Sequence, residues 1–190
     1  MVAMVSKSKS QSAGKQFEND FKESIPSNHL LIRLNDSPQA FSKSNLTRFT
    51  HRTPYDFILF DTGKRRLLCI ECKSTKYRSI SFEDVRDNSE QNKMIHKHQI
   101  IGLTDASKYD NVIAGFLFYF RDEKNDCERC YFQNIKDFNH MVENIGKKSF
   151  NELDLLAGGK AIKVSGVKKR IHYRWDISKL LDDINNTIDE

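Results

Sequence analysis

Apolar residues fall four apart at Phe17, Phe21 and Ile25, which gathers them on one helical face and predicts a helix over 15–25, ended by Pro26-Ser27-Asn28. The pattern then shortens. HLLIRL (29–34), YDFILFD (55–61) and LLCIECK (67–73) are brief apolar runs that read as strands, the last two divided by Thr62-Gly63-Lys64-Arg65-Arg66. Residues 35–54 carry polar and basic side chains without a period and read as an exposed basic loop or short stalk. A polar stretch over 83–108, with Met94, Ile95, Ile100, Ile101 and Leu103, is expected to be mainly helical. VIAGFLFYF (112–120) is the most apolar run and is expected to be a central strand, followed by a further strand, CYFQNI (130–135). KDFNHMVENI (136–145) and SFNELDLLAG (149–158) read as short helices. KAIKVS (160–165) and RIHYRWDI (170–177) read as late strands, before a terminal helix over 177–187. No repeat or linker divides the chain. The pattern predicts one α/β domain over 15–190, a mixed sheet flanked by helices, behind a Ser- and Lys-rich basic tail over 1–14.

Composition agrees with that picture. The chain has 190 residues, 38% apolar and 30% charged, ordinary values for a globular protein with one core. No apolar run reaches the ~18–20 residues needed to span a bilayer, and the opening MVAMVSKSKSQSAGK lacks a signal-peptide core. A soluble, cytoplasmic protein with no membrane partner is expected. The 31 Lys and Arg exceed the 26 Asp and Glu by five, and their placement is uneven. Arg33, Lys43, Arg48 and Arg52 share a stretch whose only acid is Asp36; Lys160, Lys163, Lys168, Lys169, Arg170 and Arg174 crowd an acid-free segment. Clustered cations favour a polyanion by counterion release, which makes nucleic acid the natural partner; the alternative is a set of solvated faces.

The four cysteines form two Cys-x-x-Cys pairs, Cys69/Cys72 and Cys127/Cys130, which have the ligand count of a zinc site. The gap between them far exceeds the ~15–20 residues of a zinc ribbon, and strand parity sends Cys69 and Cys72 to opposite faces. Reduced thiols are the expectation.

The chemistry concentrates on the hairpin. If Gly63-Lys64 is a two-residue type II′ turn, paired positions sum to 127 and Asp56 faces Glu71 directly, with Cβ atoms ~4.5–5.5 Å apart. Two carboxylates that close among apolar neighbours need positive charge between them, and a hard divalent cation such as Mg²⁺ supplies it. Lys73 shares the face of Glu71, so its ammonium can orient or help deprotonate a water and offset charge on a phosphorane-like transition state. The alternative is a plain ion pair between Lys73 and either acid.

The order Asp…Glu-x-Lys on a hairpin resembles the PD-(D/E)xK nuclease superfamily. More narrowly, Gly14-Lys15-Gln16-Phe17-Glu18, Thr53-Pro54-Tyr55-Asp56-Phe57, Glu71-Cys72-Lys73-Ser74-Thr75-Lys76, His98-Gln99-Ile100 and Gly146-Lys147-Lys148-Ser149 resemble, in order, blocks of the RecU group of Holliday-junction resolvases. The resemblance covers about residues 14–150. It departs at Tyr55, where the superfamily has Pro, and in the shortness of the stretch before Asp56. What it implies is a restriction-endonuclease-like mixed β-sheet flanked by helices and a Mg²⁺-dependent endonuclease, with Mn²⁺ able to substitute. Asp56, Glu71 and Glu18 would bind the metal, Lys73 would position water, and Gln99 would support the site. The substrate would be branched or duplex DNA, contacted by Lys43, Arg48, Arg52, Lys76, Lys147, Lys148, Lys168, Lys169 and Arg170. Two symmetric nicks in a junction would require a homodimer. Other nucleases of the superfamily, or a DNA-binding module without cleavage, are the rival readings.

Several residues carry a second reading. Taken without the resemblance, Glu18 is a surface residue at the edge of an amphipathic helix, and Gln99 a solvent-facing helical amide. His96 and His98, lacking a ligand spacing, read as structural. Asp61 lies five residues from Asp56 and by parity faces away from it. Tyr173 and Trp175 suit a strand's core face, or stacking on splayed bases.

Overall fold

Ser12 accepts a hydrogen bond from the Lys15 backbone N–H at 3.3 Å, capping helix α1 (Ala13–Ser24). The computed structural model describes residues 12–35, 52–87, 92–121, 129–158 and 160–189. Lys43, Arg48, Cys127 and most of the expected basic arm lie outside the described residues. Phe17 and Phe21 are buried on one face of α1, as their spacing requires. Strands β1 (Leu30–Arg33), β2 (Phe57–Asp61), β3 (Arg66–Thr75) and β4 (Ser79–Ser81) follow, then helix α2 (Lys97–Ala106) and strands β5 (Val112–Phe120) and β6 (Cys130–Asn134). Helix α3 (Ile135–Asn144), strand β7 (Ser149–Asn151), helix α4 (Glu152–Gly158), strands β8 (Ile162–Val164), β9 (Gly166–Lys169) and β10 (His172–Trp175), and helix α5 (Ile177–Asp189) complete the described chain.

Six strands form a mixed sheet in the order β1-β2-β3-β5-β6-β8, with β3 parallel to β5 and the other neighbours antiparallel. The apolar run 112–120 is internal, as expected, because both of its faces are covered. One face carries Phe17 and Phe21 of α1, Trp175 of β10, and Leu180, Leu181 and Ile184 of α5. The other carries Ile100 and Leu103 of α2 with Phe116, Phe118, Phe138 and Phe150. Cys72 and Cys130 belong to the first core and Cys69 to the second, so strand parity does separate Cys69 from Cys72. All three are buried free thiols.

The hairpin register is the expected one, with Phe57 opposite Ile70 and Asp61 opposite Arg66. Its turn is not. Four residues, Thr62 to Arg65, connect the strands, and the positive φ of 54° falls on Arg65 rather than on Gly63. The loop is built by the buried Asp61 carboxylate, which accepts the Gly63 N–H at 2.9 Å and the Lys64 N–H at 3.4 Å. Asn185 of α5 donates to the same carboxylate at 3.2 Å, which ties the terminal helix to the hairpin. Four residues preserve the parity that two would have given, so the pairing survives the wrong turn type.

Other expectations are corrected by long-range pairing. Among the described residues of the stretch 83–108, 97–106 is helical, and Ile95, just before that helix, forms an isolated parallel bridge with Phe82. The expected helix over 149–158 opens as β7, because Ser149–Asn151 pairs with Ser79–Ser81. The late strand expected over 170–177 is present as β10, which pairs with β9 in a hairpin apart from the main sheet, packed on α1. No helix among the described residues is long and apolar enough to cross a membrane.

Candidate active site

Asp56 lies one residue before β2, still held in the ladder by its N–H donating to the Ile70 carbonyl at 3.1 Å. The register then sets its side chain against Glu71, so that each carboxyl feels the other. Asp56 Oδ2 also accepts the Cys72 N–H at 2.8 Å. Glu71 is buried, and burial pushes its carboxyl up to about 8; the Asp56 charge adds to this, while Lys73 opposes it. Asp56 is raised as well, chiefly by burial, against the pull of the Cys72 N–H, Lys73 and Arg33. Lys73 Nζ stands 2.8 Å from Glu71 Oε1. The predicted trio is therefore assembled at one place.

Gln99 joins it from α2. Its Nε2 donates to Glu71 Oε1, and its Oε1 accepts the His96 N–H at 3.0 Å, so both ends of the amide are committed and its orientation is fixed. The first turn that carries Gln99 is pinned by Glu83, which accepts the Lys97 N–H at 2.7 Å and contacts His96 Nδ1 at 2.9 Å. Further along, Gly102 lies so close to Pro54 that an added Cβ would come within 2.3 Å of the Pro54 Cβ. Pro54 precedes Asp56 by two residues, so this contact sets the distance between α2 and the acid pair.

Glu18 is placed differently. It projects from α1, on the opposite face of the sheet from α2, and is ion-paired with Arg33 and, at 3.7 Å, with Lys15. Burial and the nearby Asp56 charge raise its pKa, yet Glu18 does not complete a three-ligand set. Among the described residues no three His, Cys, Asp or Glu side chains are gathered as a group able to hold a metal ion. What the structure does assemble is a two-acid pair of hard oxygen donors in which burial and mutual repulsion disfavour full ionisation. A divalent cation relieves that conflict, so the donor chemistry fits one.

The residues expected to touch DNA are scattered. Arg52 is exposed, four residues before Asp56. Lys76 lies over the Tyr77 ring at 5.6 Å. Lys147 and Lys148 are paired with Asp154 at 2.8 Å and Asp87 at 3.0 Å. Lys168, Lys169 and Arg170 are exposed on the β9–β10 hairpin, whose turn at Ile171 accepts a hydrogen bond from Gln16 of α1. Tyr173 and Trp175 are buried core, stacked on each other at 4.9 Å, which excludes them from base stacking. Asp61 is a structural acid, as its parity indicated. Sequence reasoning missed Arg33, which holds Glu18 and lies over the Phe57 ring at 5.9 Å, and Glu83, which anchors α2. The capping pattern His96-Lys97-His98-Gln99, with Gln at the third helical position, was the available signal for a fixed Gln99.

The mixed sheet between helical layers, with two acids and a lysine at the open end of its hairpin, makes this an α/β protein of restriction-endonuclease-like architecture. No protein-family model matches the chain. It is 32% identical over 183 residues, covering 90% of this chain and 86% of the other, to the SPbeta prophage-derived uncharacterized protein YotM of Bacillus subtilis strain 168, and it belongs to that protein's family.

Proposed function

We propose that the chain is a DNA endonuclease that hydrolyses phosphodiester bonds with Mg²⁺ or Mn²⁺ at Asp56 and Glu71, and that its substrate is a four-way junction. One observation carries the reading: a buried glutamate is held simultaneously by a facing aspartate, a lysine 2.8 Å away and an oriented glutamine amide. A structural ion pair needs only the lysine. Asp56 and Glu71 would hold the cation, which supplies Lewis-acid polarisation of the phosphate and a lowered pKa for water. Gln99 keeps the Glu71 carboxyl from rotating out of the pair. Lys73 directs its ammonium to a water or a phosphate oxygen and offsets negative charge as the phosphate becomes five-coordinate. Two symmetric nicks need two such sites, so the acting species is a homodimer. The exposed cations Arg52, Lys168, Lys169 and Arg170 supply sequence-independent attraction for the backbone.

The test compares cleavage of a four-way junction with that of linear duplex of the same sequence, in Mg²⁺ and in Mn²⁺, for the wild type and Glu71→Gln. The variant is expected to bind DNA and not to cut. Equal cleavage of both substrates would replace the junction reading with a nuclease of another specificity. Binding by the wild type without cutting in either metal would leave a DNA-binding module.

A further inference from the structure

The β9–β10 hairpin is fastened to α1 along its inner side. Asp20 is buried; one of its carboxylate oxygens meets His172 Nδ1 at 2.8 Å and the other accepts the Tyr173 N–H at 3.0 Å. Ser24 Oγ accepts the Trp175 N–H at 2.9 Å, and Gln16 donates to the Ile171 carbonyl. Tyr173 and Trp175 are buried, so strand alternation turns His172 and Arg174 outwards. Lys169 of β9 stands opposite His172, and Arg174 is paired with Glu23 of α1 at 3.5 Å. The segment 160–174 contributes no acid of its own. The turn itself is strained: two residues, Arg170 and Ile171, join the strands, and Arg170 has a φ of 60°. A side chain is penalised in that left-handed region and glycine is not, so the turn by itself would favour glycine. What occupies the exposed tip instead is a guanidinium.

We propose that Arg170 and His172 seat the phosphate backbone of DNA on the outer rim of this hairpin, with Asp20 fixing the imidazole. The occupant follows from charge: a rigid, cationic edge complements a polyanion. The proposal rests on the nuclease reading for the identity of that polyanion, and goes beyond it by giving His172 direct contact with substrate and Arg170 a reason to bear its strain. Half of the His172 side chain is exposed, and with Nδ1 engaged by Asp20 the ring presents its Nε2 edge to solvent. A phosphate oxygen accepts from Nε2 only while the ring carries a proton on each nitrogen, since Asp20 holds the one on Nδ1, so this contact strengthens as pH falls.

The experiment measures binding of a short labelled DNA duplex in EDTA over a range of salt, at pH 6 and pH 8, with each protein checked for folding by its thermal transition. The proteins are the wild type, Arg170→Gly, His172→Gln and, as a control that removes one cation elsewhere, Lys108→Gln. Arg170→Gly is expected to melt at or above the wild-type temperature, because glycine relieves the turn. It should nevertheless bind about three- to tenfold more weakly, with a salt slope reduced by about one. His172→Gln is expected to match the wild type at pH 8 and to bind about three- to tenfold more weakly at pH 6. Lys108→Gln should stay within about twofold of the wild type at both. Wild-type affinity in Arg170→Gly, a loss there no larger than that of Lys108→Gln, or a His172→Gln deficit equal at the two pH values would overturn the proposal. Since no metal is present, this outcome is separate from whether the wild type cuts in Mg²⁺, which tests the nuclease reading alone.

Discussion

Replacing Glu71 by glutamine should make the metal-free protein less sensitive to alkaline pH. Burial beside Asp56 raises the Glu71 carboxyl from 4.5 to about 8, whereas in the unfolded chain it titrates near its ordinary value of about 4.3. Between those two pH values the folded protein holds a proton that the unfolded chain has lost. Stability is therefore fully present at and below the lower value and falls as pH rises towards 8. The rise of about 3.5 units corresponds to at most about 5 kcal/mol, at roughly 1.4 kcal/mol per unit. Glu71→Gln keeps the shape and a hydrogen-bonding oxygen but does not ionise. Asp56 and Glu18, raised in the same direction, are present in both proteins, so the comparison isolates position 71. Thermal unfolding in EDTA should show the variant gaining on the wild type by about 5–15 °C between pH 5 and pH 8, the span expected for a protein of this size. Mg²⁺ at pH 8 should return most of that difference to the wild type and leave the variant little changed. Melting temperatures that move in parallel across the range would refute the description of a buried acid pair in conflict.

Three further outcomes follow from particular contacts. Lys73→Met is expected to lower cutting by about 10²–10³-fold while DNA affinity stays within a few-fold, read by single-turnover cleavage alongside equilibrium binding. Gly102→Ala places a Cβ 2.3 Å from the Pro54 Cβ, so denaturant unfolding should show a loss of about 1–3 kcal/mol; cutting should fall too, since α2 must back away from Asp56. Asp61→Ala leaves the Gly63 and Lys64 N–H groups and Asn185 without their shared acceptor. A loss of about 2–3 kcal/mol is expected there in chemical denaturation, with DNA cutting retained once the protein is folded.

Much of the hairpin that carries the acid pair was legible because its information is local. A strand's side chains alternate with period two, so the facing of Asp56 and Glu71, the common side of Glu71 and Lys73, and the divergence of Cys69 from Cys72 all follow from counting. Even an incorrect turn type did no harm, since a four-residue loop keeps the parity of a two-residue one. The helical spacing of Phe17 and Phe21 and the apolar density of 112–120 likewise fixed which faces would be buried.

Tertiary packing decided what no period encodes. Gln99 reaches Glu71 across 28 positions only because Gly102 lets α2 settle on Pro54 and Glu83 pins its first turn. Glu18 is claimed by Arg33 on the other face of the sheet, and β9 and β10 pair with each other rather than extend it. Ser149–Asn151 becomes a strand because Ser79–Ser81 supplies its partner. Sequence by itself determined the alternation within each segment, since that depends on backbone geometry at adjacent residues. Which segments meet, and therefore which charge answers which, was settled by the filling of two cores from distant parts of the chain.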